Sequence, residues 1–215
     1  MNKITMAKKI KEGFEAYSLF VDKEIHYLYK VDGDYKEVVL KAKKEDFMHL
    51  CGVQYWDPTI RKKVTPNHFY RLVKDNKISA EHLIEKKDGS TTLKLRVIDC
   101  LKEVLTSNIR IVDKQVSFTN FTAAKSLRSR RQIFALALNT REKLNNNHYP
   151  VSLLDLKTTK ADFLKPSYEV ECIYSNSRKE SIYIYYETES YQKYRLHQEF
   201  MELEKYEEKE KIDAK

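Results

Sequence analysis

The stretch IHYLYKVDGDYKEVVL, Ile25–Leu40, decides the fold class of this 215-residue chain. Large apolar side chains recur at every second residue from Ile25 to Val31, which is the period of a β-strand. Asp32-Gly33-Asp34 follows as a turn signal, and Tyr35–Leu40 has the composition of a returning strand. The stretch therefore predicts an antiparallel β-hairpin in the first part of the chain.

Helices are predicted on both sides of this hairpin. Thr5 is the expected cap of the first helix, and Thr65-Pro66 opens another, with threonine as cap and proline at the first helical position. A short helix is expected from Ser79, and a longer one runs from about Thr92 to Thr106 on its apolar periodicity. Helices thus dominate the first half of the chain.

Strands dominate the second half, and they pair as hairpins rather than as βαβ units. The predicted strands are Ile109–Val112, Gln115–Phe118, Gln132–Leu138, Tyr168–Tyr174 and Ser181–Tyr186, the last two forming a hairpin. For EDFMHLCGV, Glu45–Val53, a short helix and a buried strand both remain open because the segment has no clear period. Residues 188–212 are rich in Glu, Lys and Tyr and predict a charged helix. We expect an α+β fold, with helices packed on a mainly antiparallel sheet in residues 1–187 and a charged C-terminal helix in residues 188–215.

Several function classes lack their sequence signatures. The four glycines stand alone, which excludes the Gly-rich loops of P-loop and Rossmann sites. The three cysteines have neither metal-ligand nor disulfide spacing, so they are expected to be reduced core residues. No apolar stretch exceeds the six residues Ile133–Leu138, and the N-terminus lacks an apolar signal segment. The prediction is a cytoplasmic protein without membrane contact.

The net charge of +8 is unevenly distributed. Seven acids and four lysines from Glu199 onward give that segment −3 and leave +11 on the rest of the chain. One basic cluster comprises Lys125, Arg128, Arg130 and Arg131. RNA, DNA or anionic lipid is the kind of partner that such a field favours, and ordinary solubilising charge is the alternative.

Two residues, His49 and Lys94, are candidate functional residues because of the residues around them in the sequence. His49 lies among Phe47, Met48, Leu50 and Cys51, which favours a packed core histidine, although an imidazole in such surroundings can also act as a general acid or base. Lys94 heads an apolar stripe in the first turn of its predicted helix, where the helix dipole disfavours a cation by about 0.3–1 kcal/mol. A nearby anion and a lysine snorkelling from the end of the stripe both remain open.

The helix that begins at Pro66 and the later basic cluster supply further candidates. His68 borders the apolar face of that helix and Tyr70 lies to its side, where packing is favoured over a hydrogen bond to phosphate. Strand alternation would place Arg128 and Arg130 on one face, where two guanidiniums repel each other unless they share an anion. That pattern fits a phosphate contact and equally a solvated arginine face.

Four short motifs carry a family resemblance. They are DFMHLCG at Asp46–Gly52, HFYRLVKDNKIS at His68–Ser79, STTLKL at Ser90–Leu95 and YPVSLL at Tyr149–Leu154. Together they resemble a subgroup of the barnase–EndoU–colicin–RelE-like nucleases that is carried by phages and mobile elements. The resemblance covers roughly residues 10–160 and implies a helical N-terminal part on a small antiparallel sheet.

The resemblance implies metal-independent RNA cleavage that needs no cofactor, because the 2′-OH of the RNA is the nucleophile. It makes His49 the acid/base candidate, Tyr70 a hydrogen-bond donor and Lys94 a phosphate stabiliser, and Cys51 departs from the small polar residue expected there. Substrate contacts are assigned to His68, Arg128 and Arg130.

The alternative is a catalytically silent module that binds nucleic acid or protein and blocks a host defence or translation factor, with the C-terminal helix as a surface for a protein partner.

Overall fold

The computed structural model describes residues 1–118, 121–140, 147–157, 161–176 and 182–199. The α-helices are α1 (Lys3–Ser18), α2 (Asp46–Cys51), α3 (Pro66–Lys74), α4 (Ser90–Val97) and α5 (189–199). Short 3-10 segments occupy Ala80–His82, Ile98–Leu105 and Ala161–Leu164. The predicted α+β class is confirmed.

The strands alternate with these helices only in the first half of the chain. They are β1 (Glu24–Val31), β2 (Asp34–Lys41), β3 (Val53–Asp57), β4 (Lys62–Lys63), β5 (Leu83–Glu85), β6 (Ile109–Val112), β7 (Val116–Ser117), β8 (Thr122–Ala123), β9 (Lys125–Ser129), β10 (Phe134–Thr140), β11 (Asn147–Asp155), β12 (Tyr168–Asn176) and β13 (Ile182–Glu187). The main sheet has the order β1-β2-β11-β10-β9-β6-β12-β13, and β1 also pairs with β12, so the first seven strands of this order close into a ring and β13 pairs with β12 outside it. Among the described strands of this sheet, the β2–β11 pairing is parallel and the others are antiparallel.

The hairpin that decides the fold class forms as predicted. Val31 pairs with Asp34, which leaves Asp32 and Gly33 as a two-residue turn. Both turn residues have positive φ, 53° and 96°, which is the conformation that favours Asp-Gly in tight hairpins. Of the alternating apolar residues of β1, Ile25, Tyr27 and Tyr29 are fully buried and Val31 is partly buried.

Two helix boundaries differ from the prediction. The side chain of Asn2 caps α1 by accepting a hydrogen bond from the Thr5 main-chain N–H, so Thr5 is not the cap. The predicted helix from Thr92 to Thr106 begins earlier, after the left-handed Gly89, and changes to 3-10 geometry at Ile98. Lys94 is therefore the fifth of eight residues in α4, and the expected dipole conflict in the first turn is wrong.

Strand boundaries near the basic cluster also differ. β9 ends at Ser129, so Arg130 lies in the turn before β10 and does not share a strand face with Arg128. Residues 147–150 form the start of β11. The predicted C-terminal helix is present as α5, where Tyr191 and Tyr194 lie 5.3 and 4.5 Å from the ring of Tyr35 on β2. Its continuation to residue 212 lies outside the described residues.

An aromatic cluster joins α1, α2 and α3 at the centre of the helical part. It consists of Phe14, Tyr17, Phe47, Phe69 and Tyr70. Phe47 of α2 is fully buried at its centre, with ring centroids of the other four between 5.2 and 6.2 Å away. This packing fixes the orientation of α2, and with it the direction in which the opposite face of that helix points.

Candidate functional site

A cleft of about 420 Å³ lies where α2, the start of α3 and β11 meet. It is lined by Glu45, Asp46, His49, Thr65, Pro66, Asn67, Tyr149, Pro150 and Val151. Three segments that are far apart in the sequence thus supply an imidazole, carboxylates, an amide and a phenol to one concave surface. Such a convergence of polar groups in a cleft is typical of a binding or catalytic site.

His49 faces this cleft because of helix geometry. Each residue of a helix is rotated by roughly 100° from the last, so positions 47, 48, 50 and 51 share one face and position 49 points the opposite way. The four neighbours are buried, and the side chain of His49 is exposed. EDFMHLCGV is thus resolved as a short helix, and the packed core histidine that the pattern favoured is wrong.

Lys94 supports the end of the helix that carries His49. Its side chain is only 8% exposed, and its Nζ donates a hydrogen bond of 2.8 Å to the His49 main-chain oxygen. A cation at a helix C-terminus is stabilised by the helix dipole. Gly52, with φ of 67°, leaves the necessary room, because a Cβ there would lie 2.9 Å from Lys94 Cδ. Lys94 is thus a neighbour of His49 whose hydrogen bond goes to the protein main chain.

The electrostatic surroundings of His49 favour the neutral form of its imidazole. Partial burial and the positive charges of Lys86 and Lys94 lower the pKa of His49 below its ordinary value. Burial and Lys86 also lower the pKa of Lys94, to about 8. Because the neutral imidazole is the form that accepts a proton, His49 is suited to act as a base near pH 7.

Neutralising Lys86 should raise the pKa of His49. The main chain of Lys86 is held by a hydrogen bond of 2.9 Å from its N–H to the Thr91 hydroxyl, and its ammonium repels a proton on the imidazole. We expect Lys86→Gln to move the His49 titration, followed by NMR, to higher pH, while the exposed neighbour variant Lys87→Gln leaves it in place. An unchanged His49 titration in Lys86→Gln would contradict this electrostatic assignment.

The third wall of the cleft is an irregularity in β11. Leu138 pairs with Pro150 and Ala137 pairs with Ser152, so Val151 is an extra residue in β11. A bulge accommodates a proline inside a strand, because proline has no N–H for the ladder. The bulge places Tyr149 against the cleft. Tyr149 belongs to the quoted motif YPVSLL, but the sequence analysis assigned it no role. The signal that could have identified it is an aromatic residue directly before a proline in a strand.

Tyr70 and His68 occupy different places on α3. Tyr70 is 5% exposed and packs against Phe14, with ring centroids 5.0 Å apart. Burial, with a smaller contribution from the charge of Asp22, raises the pKa of its phenol. Tyr70 is absent from the residues that line the cleft, whereas His68 is half-buried in the first turn, directly after the lining residue Asn67.

Arg128 and Arg130 lie away from the His49 cleft. Arg128 is buried on β9 opposite Arg110 of β6, and both guanidiniums donate hydrogen bonds to the Ser167 hydroxyl. Arg110 also forms an ion pair of 2.6 Å with Glu169. Arg130 is exposed and lines a second cavity of about 190 Å³ with Arg110 and Glu169. The guanidinium that neighbours Arg128 is therefore Arg110, which sequence reasoning missed.

Comparison with known proteins assigns the family. The sequence profile of the family described as phage-Barnase-EndoU-ColicinE5/D-RelE like nuclease4 matches residues 9–194. The chain belongs to this nuclease family. No curated protein and no solved structure matches it. The resemblance seen in four motifs is confirmed. The match also covers residues 168–194, which lie beyond those motifs.

The family assignment supports a nuclease function with nucleic acid as substrate. Five of the nine residues that line the cleft around His49 belong to two of the motifs that carry the resemblance, Asp46–Gly52 and Tyr149–Leu154. Within the described residues, no group of three or more His, Cys, Asp and Glu side chains is arranged to hold a metal ion. None of the helices in the described ranges has the length and apolar character to cross a membrane.

Proposed function

We propose that this nuclease-family protein is a metal-independent endoribonuclease whose reaction takes place in the His49 cleft. The observation that carries the proposal is an imidazole that lines a cleft and whose pKa is lowered by partial desolvation and two lysines, in a chain of a nuclease family. A base of this kind is what removal of a proton from an RNA 2′-OH requires. An origin in a phage or mobile element and a protein partner for the C-terminal helix stay predictions.

In the proposed reaction, His49 takes the proton of the 2′-OH and the resulting oxygen attacks the adjacent phosphorus. The bond from phosphorus to the 5′ oxygen breaks, that oxygen receives a proton from water, and the proton held by His49 returns to the solvent. The products are a 2′,3′-cyclic phosphate and a 5′-hydroxyl, so atoms and charges balance without a cofactor. Tyr149 is the phenol that lies in the cleft with His49. We assign it the hydrogen-bond donor role that the family resemblance implied for Tyr70.

Two lysines that do not line the cleft but act on His49 would stabilise the phosphate. Lys86 and Lys94 both act electrostatically on the imidazole, so a phosphate bound there would feel the same charges. Lys94 also holds the main-chain oxygen of His49, which gives it a positioning role in addition. Arg128 is not part of this proposal for the reacting phosphate, because its guanidinium is bound by Ser167 on another part of the sheet.

A second candidate function is a silent binding module. It is favoured because two of the three side chains that the resemblance assigned to catalysis have contacts that stabilise the fold. Lys94 donates to a main-chain oxygen, and Tyr70 packs in the aromatic cluster. A family member that had lost its activity would keep the cleft and the positive charge and would bind nucleic acid without cutting it.

Incubation with labelled RNA in excess chelator separates these functions. The endoribonuclease proposal predicts cleavage without divalent metal and products with 2′,3′-cyclic phosphate ends. Tight binding that falls steeply with salt but gives no cleavage would favour the silent module. Cleavage that returns only when a divalent metal is added would contradict the metal-independent mechanism.

A further inference from the structure

The hairpin formed by β3 and β4 presents an exposed tryptophan. Trp56 is the only tryptophan in the chain, and it is 40% exposed. Val53 and Tyr55, which point to the opposite face of β3, are buried. Trp56 therefore lies on the outer face of the small sheet. Among the described residues, the ring-stacking and cation–π contacts do not involve its indole. A large aromatic surface is therefore open to solvent at this position.

Positive charge lies beside this indole. Lys63 is the direct cross-strand partner of Trp56, which places both side chains on the same face. Arg61 and Lys62 precede it and are exposed as well. The acid of the hairpin, Asp57, accepts a hydrogen bond of 2.8 Å from the Thr59 N–H within the turn. The hairpin therefore combines an open aromatic ring with three exposed cations, of which Lys63 lies on the same face as the indole.

The hairpin is connected to the His49 cleft at both ends. β3 starts directly after Gly52, three residues beyond His49, and the chain returns through Val64 to Thr65, which lines the cleft. A hydrogen bond of 3.0 Å from the Val64 N–H to the Tyr55 oxygen closes the base of the hairpin. The base of the hairpin therefore adjoins residues of the cleft in the chain.

We propose that Trp56, Lys63 and Arg61 form a subsite for single-stranded RNA that extends the His49 cleft. One unpaired base stacks on the indole, and the flanking phosphates contact the two cations. Stacking on an aromatic side chain requires an unpaired base, and exposed lysines are depleted from the centre of protein interfaces. The substrate class rests on the proposed endoribonuclease function, but binding at this subsite does not require cleavage.

The first test measures binding by the fluorescence of the single tryptophan. The probe is a 2′-O-methyl single-stranded RNA, which cannot react because its 2′-OH is blocked. We expect saturable quenching of Trp56 that weakens as salt rises, since phosphate contacts release counterions. Saturable binding of the probe without any change in Trp56 fluorescence would overturn the subsite.

The second test compares variants by the anisotropy of the same labelled probe. Trp56→Ala is expected to weaken binding about tenfold, and Trp56→Phe to weaken it less because a smaller ring still stacks. Lys63→Gln should lower the salt slope by about 0.7, the value for one phosphate contact on a single strand. Tyr183→Ala is the control, because Tyr183 is 63% exposed on β13 and lies outside the proposed subsite.

The outcomes separate this proposal from the proposed function. If RNA is cleaved but Trp56→Ala and Trp56→Phe bind as the wild type does, the subsite is overturned and the endoribonuclease stands. If Trp56 is quenched by the probe but RNA is never cleaved, the subsite stands and the endoribonuclease falls. Thermal unfolding of each variant identifies a folding defect, and in that case the wild-type quenching experiment decides.

Discussion

Replacing His49 with alanine is expected to lower the rate of RNA cleavage by about 10²–10⁴-fold, the usual contribution of a positioned general base. The fold should be retained, because the side chain is exposed on α2 and makes no core contact of the kind that Phe47 makes. The measurement is the single-turnover rate on a labelled RNA in excess chelator. Unfolding by denaturant should give a midpoint close to that of the wild type.

His68→Ala is the matched control for this prediction. His68 is a partly exposed histidine in the first turn of α3, next to the cleft residue Asn67. We expect the loss of His68 to lower the apparent affinity for RNA more than it lowers the rate at which bound RNA is cleaved. If His49→Ala retains the wild-type single-turnover rate, the assignment of His49 as base is wrong, whatever the effect of His68→Ala.

Replacing Phe47 with alanine is expected to destabilise the protein by about 3–5 kcal/mol, the range for a buried Phe→Ala substitution. Phe47 is fully buried and contacts rings from α1 and α3, including Tyr17 at 5.2 Å and Phe69 at 6.2 Å. Its removal leaves a cavity that the surrounding helices fill only in part. Equilibrium unfolding in urea, monitored by the fluorescence of the single tryptophan, measures the loss.

Phe47→Leu distinguishes the cavity from other effects of the substitution. Leucine fills most of the volume and keeps the apolar character, so the expected loss of stability is clearly smaller than for alanine. A loss below about 1 kcal/mol for Phe47→Ala would contradict the role of this cluster in orienting α2.

Local patterns were sufficient to predict the fold class. The turn at Asp32-Gly33 and the alternation in β1 depend on residues adjacent in sequence, and both form as expected. The ring of strands was not predictable in the same way. It depends on the parallel pairing of Val39 with Asn147, which are more than 100 residues apart. No local signal marks such a pairing, because it is set by tertiary packing.

The site was predicted in part, and the errors have physical causes. His49 was found by resemblance, although the helical arrangement of its four apolar neighbours already contained the signal that it faces outward. For Lys94, the helix start was placed two residues late, which created an apparent dipole conflict. Arg128 was paired with the wrong arginine because β9 ends one residue before Arg130. Errors of one or two residues at the end of a helix or strand are enough to change which groups a long side chain contacts.

The most direct test of the proposed function uses two RNAs that differ by a single oxygen. One is fully ribonucleotide, and the other carries a 2′-deoxy nucleotide at the position where the first is cut, both in excess chelator. We predict that the first RNA is cleaved to a 2′,3′-cyclic phosphate and that the second stays intact at that position. Cleavage of the deoxy-substituted RNA at the same bond would contradict the mechanism, because no 2′-OH would be there to act as nucleophile.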